Sequence, residues 1–247
     1  MPAWYPQASY HRVARMRKLP DWSCVCSLAL HAVQPRCAAA TLHAVAAPDV
    51  CVTEGSIGAA ADRKLSVDVP KLRAYVNQSL AETAEIRFTY LGGTSSEARL
   101  ASGESRRQFG LKLRAADACN LVYVMWRIEP KSALVVSVKR NPGQHASAEC
   151  GNRGYQNMKP RYSAPIPALS PGQSHRLRAS MQGDELTAAI DDRVVWQGAL
   201  GATASGLQGP PGVRTDNAQL LFELAVDAPA SASGAAPACR SGAQESD

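Results

Sequence analysis

Apolar and polar side chains alternate with a period of two over much of this sequence, from Arg63 to Val226. Successive side chains of an extended strand point to opposite faces of a sheet, so the alternation predicts strands with one buried face. It recurs in the segments Leu65–Val69, Ile86–Tyr90, Phe109–Leu113, Leu177–Met181 and Ala218–Val226. With turn residues between these segments and no amphipathic helix, the pattern predicts an all-β, antiparallel β-sandwich.

A predicted hairpin lies at the centre of the sequence. Residues 121–128 are apolar at nearly every position, which predicts a strand that is covered on both sides. A turn over residues 129–132 separates this strand from a β-branched run over residues 133–139. Residues 141–173 have several prolines and glycines and no periodicity, so they predict a long irregular loop, with a functional and a structural role left open.

Both ends of the sequence depart from the strand pattern. A basic stretch at His11–Lys18, an apolar stretch and small residues up to Ala47 resemble a signal peptide, with Met16 as an alternative start. The last residues are mostly Ala, Ser, Gly and Pro, which predicts a flexible tail. We therefore expect a leader over residues 1–47, one sandwich domain over 48–227 and a tail over 228–247. No apolar run is long enough for a membrane-spanning helix, and we expect a secreted, extracellular or periplasmic protein.

The cysteines agree with an oxidising compartment. Seven are present, none in a CxxC pair or at zinc-site spacing, so no metal site is expected. Cleavage near Ala47 would leave four cysteines, an even number. We expect Cys119 to pair with Cys150 and Cys51 with Cys239, although spacing alone leaves all three connectivities open.

The net charge and the motifs exclude several classes of function. The charge of +6 comes mostly from scattered arginines, whereas nucleic-acid binders cluster their cations, so nucleic acid is not an expected partner. A basic, solvated surface is the simplest interpretation, and an acidic glycan or acidic partner is the alternative. No E-x-D-x-E run, G-x-S-x-G elbow, G-x-G-x-x-G or Walker A loop occurs, so no known catalytic or nucleotide motif is present.

The segment Gln182–Gly198, followed by Gly209–Arg214 and a terminal strand, resembles the closing half of a laminin-G-like domain of the concanavalin A-like lectin/glucanase superfamily. The resemblance covers about residues 62–227 in pattern. It implies a jelly roll with a sugar-binding concave sheet, in a family that includes lectins, hydrolases, lyases and adhesion modules. Related domains often hold calcium in Asp and Asn loops, but no such cluster is assignable in this sequence, and no other cofactor is expected.

One face of the central hairpin carries the candidate binding residues. If Val124 and Trp126 point into the sandwich, the residues next to them along the strand point away from it. The predicted ligand-binding residues are Lys112, Arg114, Tyr123, Arg127 and Lys139. Cations beside an aromatic ring suit an acidic or hydroxyl-rich polymer. Two alternatives stay open: the long loop covers Tyr123 and Met125 as a second minor core, or a register slip brings Trp126 to the groove.

These observations predict a secreted, non-catalytic module that binds carbohydrate, with an acidic polysaccharide as one candidate. The first alternative is a polysaccharide lyase or glycoside hydrolase that uses Tyr123, Arg127 or His145. The second alternative is an envelope or adhesion module, which predicts a flat apolar patch instead of a groove. The sequence does not indicate an oligomeric state.

Overall fold

Two antiparallel β-sheets pack face to face in residues 41–77 and 79–228, the part of the chain that the computed structural model describes. The strands are β1 (His43–Ala44), β2 (Val50–Glu54), β3 (Gly58–Ala59), β4 (Leu65–Val67), β5 (Lys71–Val76), β6 (Thr83–Gly93), β7 (Arg107–Leu113), β8 (Leu121–Glu129), β9 (Ala133–Lys139), β10 (Tyr155–Asn157), β11 (Tyr162–Ser163), β12 (Ser174–Gln182), β13 (Glu185–Ile190), β14 (Arg193–Ala199), β15 (Gly212–Asp216) and β16 (Ala218–Val226). One four-residue helix, α1 (Ser147–Cys150), and 3-10 turns at Ala47–Asp49, Ala61–Arg63 and Gly201–Thr203 complete the described elements. The predicted all-β antiparallel sandwich is confirmed.

The strand order differs between the two sheets. The nine-stranded sheet runs β11-β14-β13-β12-β6-β16-β4-β3, and β1 pairs with β16. The seven-stranded sheet runs β10-β9-β8-β7-β15-β5-β2. Because β15 and β16 are consecutive in the chain but lie in different sheets, the chain crosses from one sheet to the other at Asn217.

The core lies between the sheets and follows the predicted alternation. In β8, Val124 and Trp126 are fully buried in the main cluster, and Trp126 packs near Phe88 and Phe109. The opposite β16 alternates in the same way, because Leu220, Phe222 and Leu224 face the core. Since Trp126 points into the sandwich, the register slip that would bring it to the groove does not occur.

The central hairpin is confirmed, with β8 and β9 paired from Leu121↔Lys139 to Arg127↔Ala133. The segment 141–173 is less irregular than predicted. It contains α1, and it adds the short strand β10 to one sheet and β11 to the other. Strands of three and two residues are too short to leave a periodic signal in the sequence, which explains why they were missed.

The disulfide between Cys119 and Cys150 is confirmed, and it closes a sequence separation of 31 residues. Cys51 is buried, whereas its expected partner Cys239 lies outside the described residues, so that pairing stays a prediction. Most of the expected leader and nearly all of the expected tail lie outside the described residues too. Within the described ranges, no helix has the length and apolar character needed to cross a membrane.

Candidate functional site

An open cleft of about 370 Å³ lies on the side of the seven-stranded sheet that faces away from the core. Its floor comes from β7, β8, β9 and β15, through Gln108, Tyr123, Met125, Arg127, Val135, Ser137 and Arg214. One wall is the loop before β7, with Leu100, Ala101, Ser102, Glu104 and Arg106, and the other is Asn152, Tyr155 and Asn157 around β10. We call this depression, defined by these residues, the cleft.

The two-residue period of the strands places these floor residues together. Tyr123, Met125 and Arg127 alternate with core residues along β8, so they all emerge on the cleft side. Cross-strand pairing then sets Tyr123 opposite Ser137 and Met125 opposite Val135. The face argument from the sequence therefore correctly places Tyr123 and Arg127 on one surface.

A stacked pair of tyrosines forms one end of the cleft. The rings of Tyr123 and Tyr155 lie 5.9 Å apart between centroids, with an interplanar angle of 21°. Tyr123 is only 3% exposed and shares a small buried cluster with Leu121 and Met125. Tyr155 is 37% exposed. The minor core left open as an alternative therefore exists, and the accessible aromatic ring is that of Tyr155, which sequence reasoning missed.

Three cations lie next to the tyrosine pair. Arg214 lies over the Tyr123 ring at 5.0 Å from its centroid, and its Nη1 donates a hydrogen bond to Tyr155 Oη at 3.2 Å. Lys139 Nζ lies 5.1 Å from the centroid of Tyr155. Lys112 pairs across the strands with Tyr123 and is itself buried. Lys112 and Lys139 thus lie beneath or beside the tyrosines rather than at the surface of the cleft.

Asp216 anchors the cationic floor. Its carboxylate accepts hydrogen bonds from Arg73 Nη2 at 2.8 Å, Arg214 Nε at 2.9 Å and Gln108 Nε2 at 2.7 Å. Burial by itself would raise the pKa of Asp216, but the attraction of Arg214 and Arg73 and these hydrogen bonds hold it well below the usual 3.8. The same attraction outweighs desolvation for Arg214 and raises its pKa. Asp216 is therefore a buried counter-ion that is ionised at neutral pH.

Arg127 lies at the other end of the floor and differs from Arg214. Its Nε is buried and has no hydrogen-bond partner among the described residues. Desolvation, and then repulsion from Arg106, lower the pKa of Arg127, while Glu104 acts weakly in the opposite direction. Glu104 forms an ion pair with Arg106 instead. Arg127 is thus a cation in the cleft without a close counter-ion in the described part of the chain.

Arg114 lies outside the cleft. It follows the last residue of β7 with a positive φ of 48°, which ends the alternation there. Its guanidinium donates to both oxygens of Glu82, with distances of 2.7 to 3.1 Å. Of the five residues predicted to bind ligand, the structure brings Tyr123 and Arg127 into the cleft lining, with Lys139 and Lys112 next to it.

The wall that carries Tyr155 is fixed by polar contacts as well as by the disulfide. Asn141 Nδ2 donates to the carbonyls of Cys119 and Arg153, each at 3.1 Å. Gly154 precedes Tyr155 with φ at 78°, and a Cβ at this position would lie 2.4 Å from Asn141 Nδ2. Because only glycine fits there, the backbone that positions Tyr155 has little freedom.

A second depression, of about 400 Å³, opens on the nine-stranded sheet. Its charged lining residues are largely paired within the chain, because Arg87 contacts Glu85 and Arg176 contacts Asp192. Across residues 41–77 and 79–228, no group of three His, Cys, Asp or Glu side chains could hold a metal ion.

No family model matches this sequence, and no curated protein sequence matches it either. Several solved structures are similar in fold. The carbohydrate-binding module CBM66 from Bacillus subtilis is 14% identical with a TM-score of 0.49, and the match covers 70% of this chain and 91% of that one. The carbohydrate recognition domain of Emp46p (metal-free form) is 10% identical with a TM-score of 0.46, over 73% and 88%.

A tetrameric galectin from the ball sponge Cinachyrella is 12% identical with a TM-score of 0.39, over 62% of this chain and 95% of the galectin. The β-sandwich itself is established by the two sheets of this chain. At these identities and TM-scores, the likenesses assign no superfamily, and the resemblance to the concanavalin A-like superfamily stays a prediction. The finer resemblance to laminin-G domains stays a prediction.

Proposed function

We propose that this chain is a secreted, non-catalytic carbohydrate-binding module and that its ligand lies across the cleft. The observation that carries the proposal is the exposed ring of Tyr155, held in a polar cleft by Tyr123, Arg214 and Lys139. Sugar rings present an apolar C–H face together with hydroxyl groups, so they suit an aromatic ring that is surrounded by hydrogen-bonding side chains.

The polar side chains of the cleft supply the remaining contacts. Asn152 and Asn157 are exposed on the β10 wall, and Ser137 on the floor pairs across the strands with both Asn157 and Tyr123. Amides and hydroxyls both donate and accept hydrogen bonds, which matches the hydroxyl groups of a sugar. The fixed backbone at Gly154 keeps the ordering cost of binding low, because Tyr155 is already in place.

The carboxylates near the cleft favour binding over hydrolysis. A glycosidase needs a protonated carboxylic acid with a raised pKa and a second carboxylate. Asp216 has a lowered pKa, is fully buried and is bonded to two arginines. Glu104 is exposed and pairs with Arg106. Neither carboxyl group is suited to donate a proton to a glycosidic oxygen.

A polysaccharide lyase is the second candidate, supported by the 3.2 Å contact between Arg214 Nη1 and Tyr155 Oη. In a lyase, a tyrosine can act as a base that removes the proton next to a uronate carboxylate, while a cation stabilises the developing charge. A C–C double bond then forms as the C–O bond to the glycosidic oxygen breaks, and that oxygen leaves as a hydroxyl group by taking up a proton from the tyrosine or from water. This candidate predicts an unsaturated product with new ultraviolet absorbance. No absorbance change after long incubation with acidic polysaccharides would leave the binding module as the remaining proposal.

An adhesion module is less well supported. It predicts a flat apolar patch, whereas the large hydrophobic side chains that are exposed in the described residues lie on four different segments: Leu80, Leu91, Tyr155 and Tyr162. Isolated exposed hydrophobic residues are normal on protein surfaces.

Affinity electrophoresis of the full chain through gels that contain single polysaccharides tests the proposal. We expect at least one polysaccharide to retard the wild-type protein, and Tyr155→Ala to weaken that retention by about tenfold or more. Tyr162→Ala is the matched control, because Tyr162 is 47% exposed on β11 of the other sheet, and it should be retained like the wild type. Absence of retardation by any polysaccharide, or full retention of Tyr155→Ala, would contradict the proposal.

A further inference from the structure

Arg127 is a charged residue of the cleft that forms no ion pair with another described residue. It lies on the cleft side of β8, two residues beyond Met125, and it is partly exposed. No hydrogen bond or ion pair joins its side chain to another described residue, and its Nε is shielded from solvent. Because Nε is shielded from solvent and has no hydrogen-bond partner among the described residues, the folded chain carries a desolvation cost that a ligand could offset.

The neighbouring cations of the cleft are different, because each has its own carboxylate. Arg106 pairs with Glu104, and Arg214 pairs with Asp216. Neither carboxylate forms an ion pair with Arg127, although Glu104 attracts it at longer range. The repulsion between Arg106 and Arg127 lowers the pKa of Arg127 further, so this end of the cleft favours an added negative charge.

The position of Arg127 also sets a minimum length for the ligand. Tyr123, which stacks on Tyr155, precedes Arg127 by four residues on the same strand. Four residues of an extended strand span roughly 13 Å between Cα atoms. A ligand that runs along β8 from the tyrosine pair to the backbone position of Arg127 is therefore longer than one sugar ring, which suits an oligosaccharide along the cleft.

We propose that Arg127 is a specificity-determining residue that binds the anionic substituent, a carboxylate or a sulfate, of a sugar unit at least one position away from the unit on Tyr155. This inference rests on the proposed carbohydrate-binding function and narrows it to acidic oligosaccharides or polysaccharides. A guanidinium suits both anions, because its several N–H donors can bond two oxygens at once.

Affinity electrophoresis on matched pairs of polysaccharides tests this inference. The pairs are polygalacturonate and its methyl ester, hyaluronate and its methyl ester, and chondroitin sulfate and its desulfated form. Each pair keeps the sugar backbone and removes one type of charged group. Desulfated chondroitin keeps its uronate carboxylate, so its methyl ester is the neutral member of that series. We expect the wild-type chain to prefer at least one acidic polymer over its neutralised partner by about tenfold or more, and the esterified and desulfated pairs distinguish carboxylate from sulfate.

Variants at Arg127 assign the preference to this residue. Arg127→Met should bring the ratio of retention by acidic polymers to retention by neutralised polymers close to one, whereas Arg127→Lys should keep part of the preference. Arg193→Met is the control for net charge, because Arg193 is exposed on β14 of the other sheet, and it should behave like the wild type. Circular dichroism of each variant checks that the sandwich is intact.

The retention data distinguish a failure of the role of Arg127 from a failure of the proposed carbohydrate-binding function. Retention by neutral and acidic polymers alike, or an acid preference that survives in Arg127→Met, would overturn the role of Arg127 and leave carbohydrate binding in place. Absence of retention by every polymer, including the neutral ones, would overturn the proposed function itself.

Discussion

Arg214 and Arg127 lie on the same side of the same sheet, yet their surroundings are opposite. Arg214 is nearly buried, bonds Asp216 and Tyr155, and has a raised pKa. Arg127 is half-buried, lacks a partner in the described part of the chain, and has a lowered pKa. The comparison shows that a buried charge with a counter-ion, such as that of Arg214, is part of the interactions that fix the fold. A desolvated charge without a counter-ion, such as that of Arg127, is available to a ligand.

The largest effect is expected where the paired charges are broken. Asp216→Asn should lower the free energy of unfolding by about 3 kcal/mol, because two arginines would stay buried without their carboxylate. Urea denaturation measures this change. Asp192→Asn is the control, since Asp192 pairs with Arg176 at the surface and its loss should cost less than about 1 kcal/mol. Equal stability of the two variants would contradict a scaffold role for Asp216.

The contribution of Asp216 to the free energy of unfolding should decrease at acidic pH. Its folded-state pKa is lowered from 3.8, so the stabilisation is present above the unfolded value and is lost as the pH falls below it. The difference in unfolding free energy between wild type and Asp216→Asn should therefore be constant at neutral pH and shrink below pH 3.8. Denaturation series at several acidic pH values check this, and a difference that grows on acidification would refute the ionised state of Asp216.

The smallest effect is expected at Arg127. Arg127→Met should change the free energy of unfolding by no more than about 0.5 kcal/mol, or raise it, because the change removes a desolvated charge and no bond. Arg214→Met is the comparison and should cost about 3 kcal/mol, because it leaves Asp216 with one arginine fewer. Equal losses of unfolding free energy in the two variants would contradict the distinction between Arg214, which stabilises the fold, and Arg127, which is available to a ligand.

The fold could be predicted from the sequence because the alternation of apolar and polar residues follows from the local geometry of each strand. The hairpin of β8 and β9, and the side to which Tyr123 and Arg127 point, follow from the two-residue period alone. The period also explains why Arg114 does not share the surface of Tyr123 and Arg127. A positive φ at this residue ends the strand, and alternation carries no information beyond a strand end.

The rest of the site depends on contacts between distant segments. Tyr155 reaches the cleft through β10, a three-residue strand within a segment that shows no periodicity. Arg214 lies on β15, which follows a proline-rich and glycine-rich link and pairs with β7 more than one hundred positions away along the chain. Such long-range pairing cannot be predicted from the local alternation of apolar and polar residues. The predicted and confirmed Cys119–Cys150 disulfide did indicate that the segment 141–173 is linked to the chain just before β8.

Methionine methyl resonances give the most direct measurement of where the ligand binds. Met125 lies in the cleft between Tyr123 and Arg127, whereas Met181 lies in the core on β12 of the other sheet. On titration of methyl-labelled full chain with an oligosaccharide from the most strongly retained polymer, the Met125 resonance should shift and saturate, and that of Met181 should stay in place. A saturating titration that leaves Met125 unmoved would contradict ligand binding in the cleft.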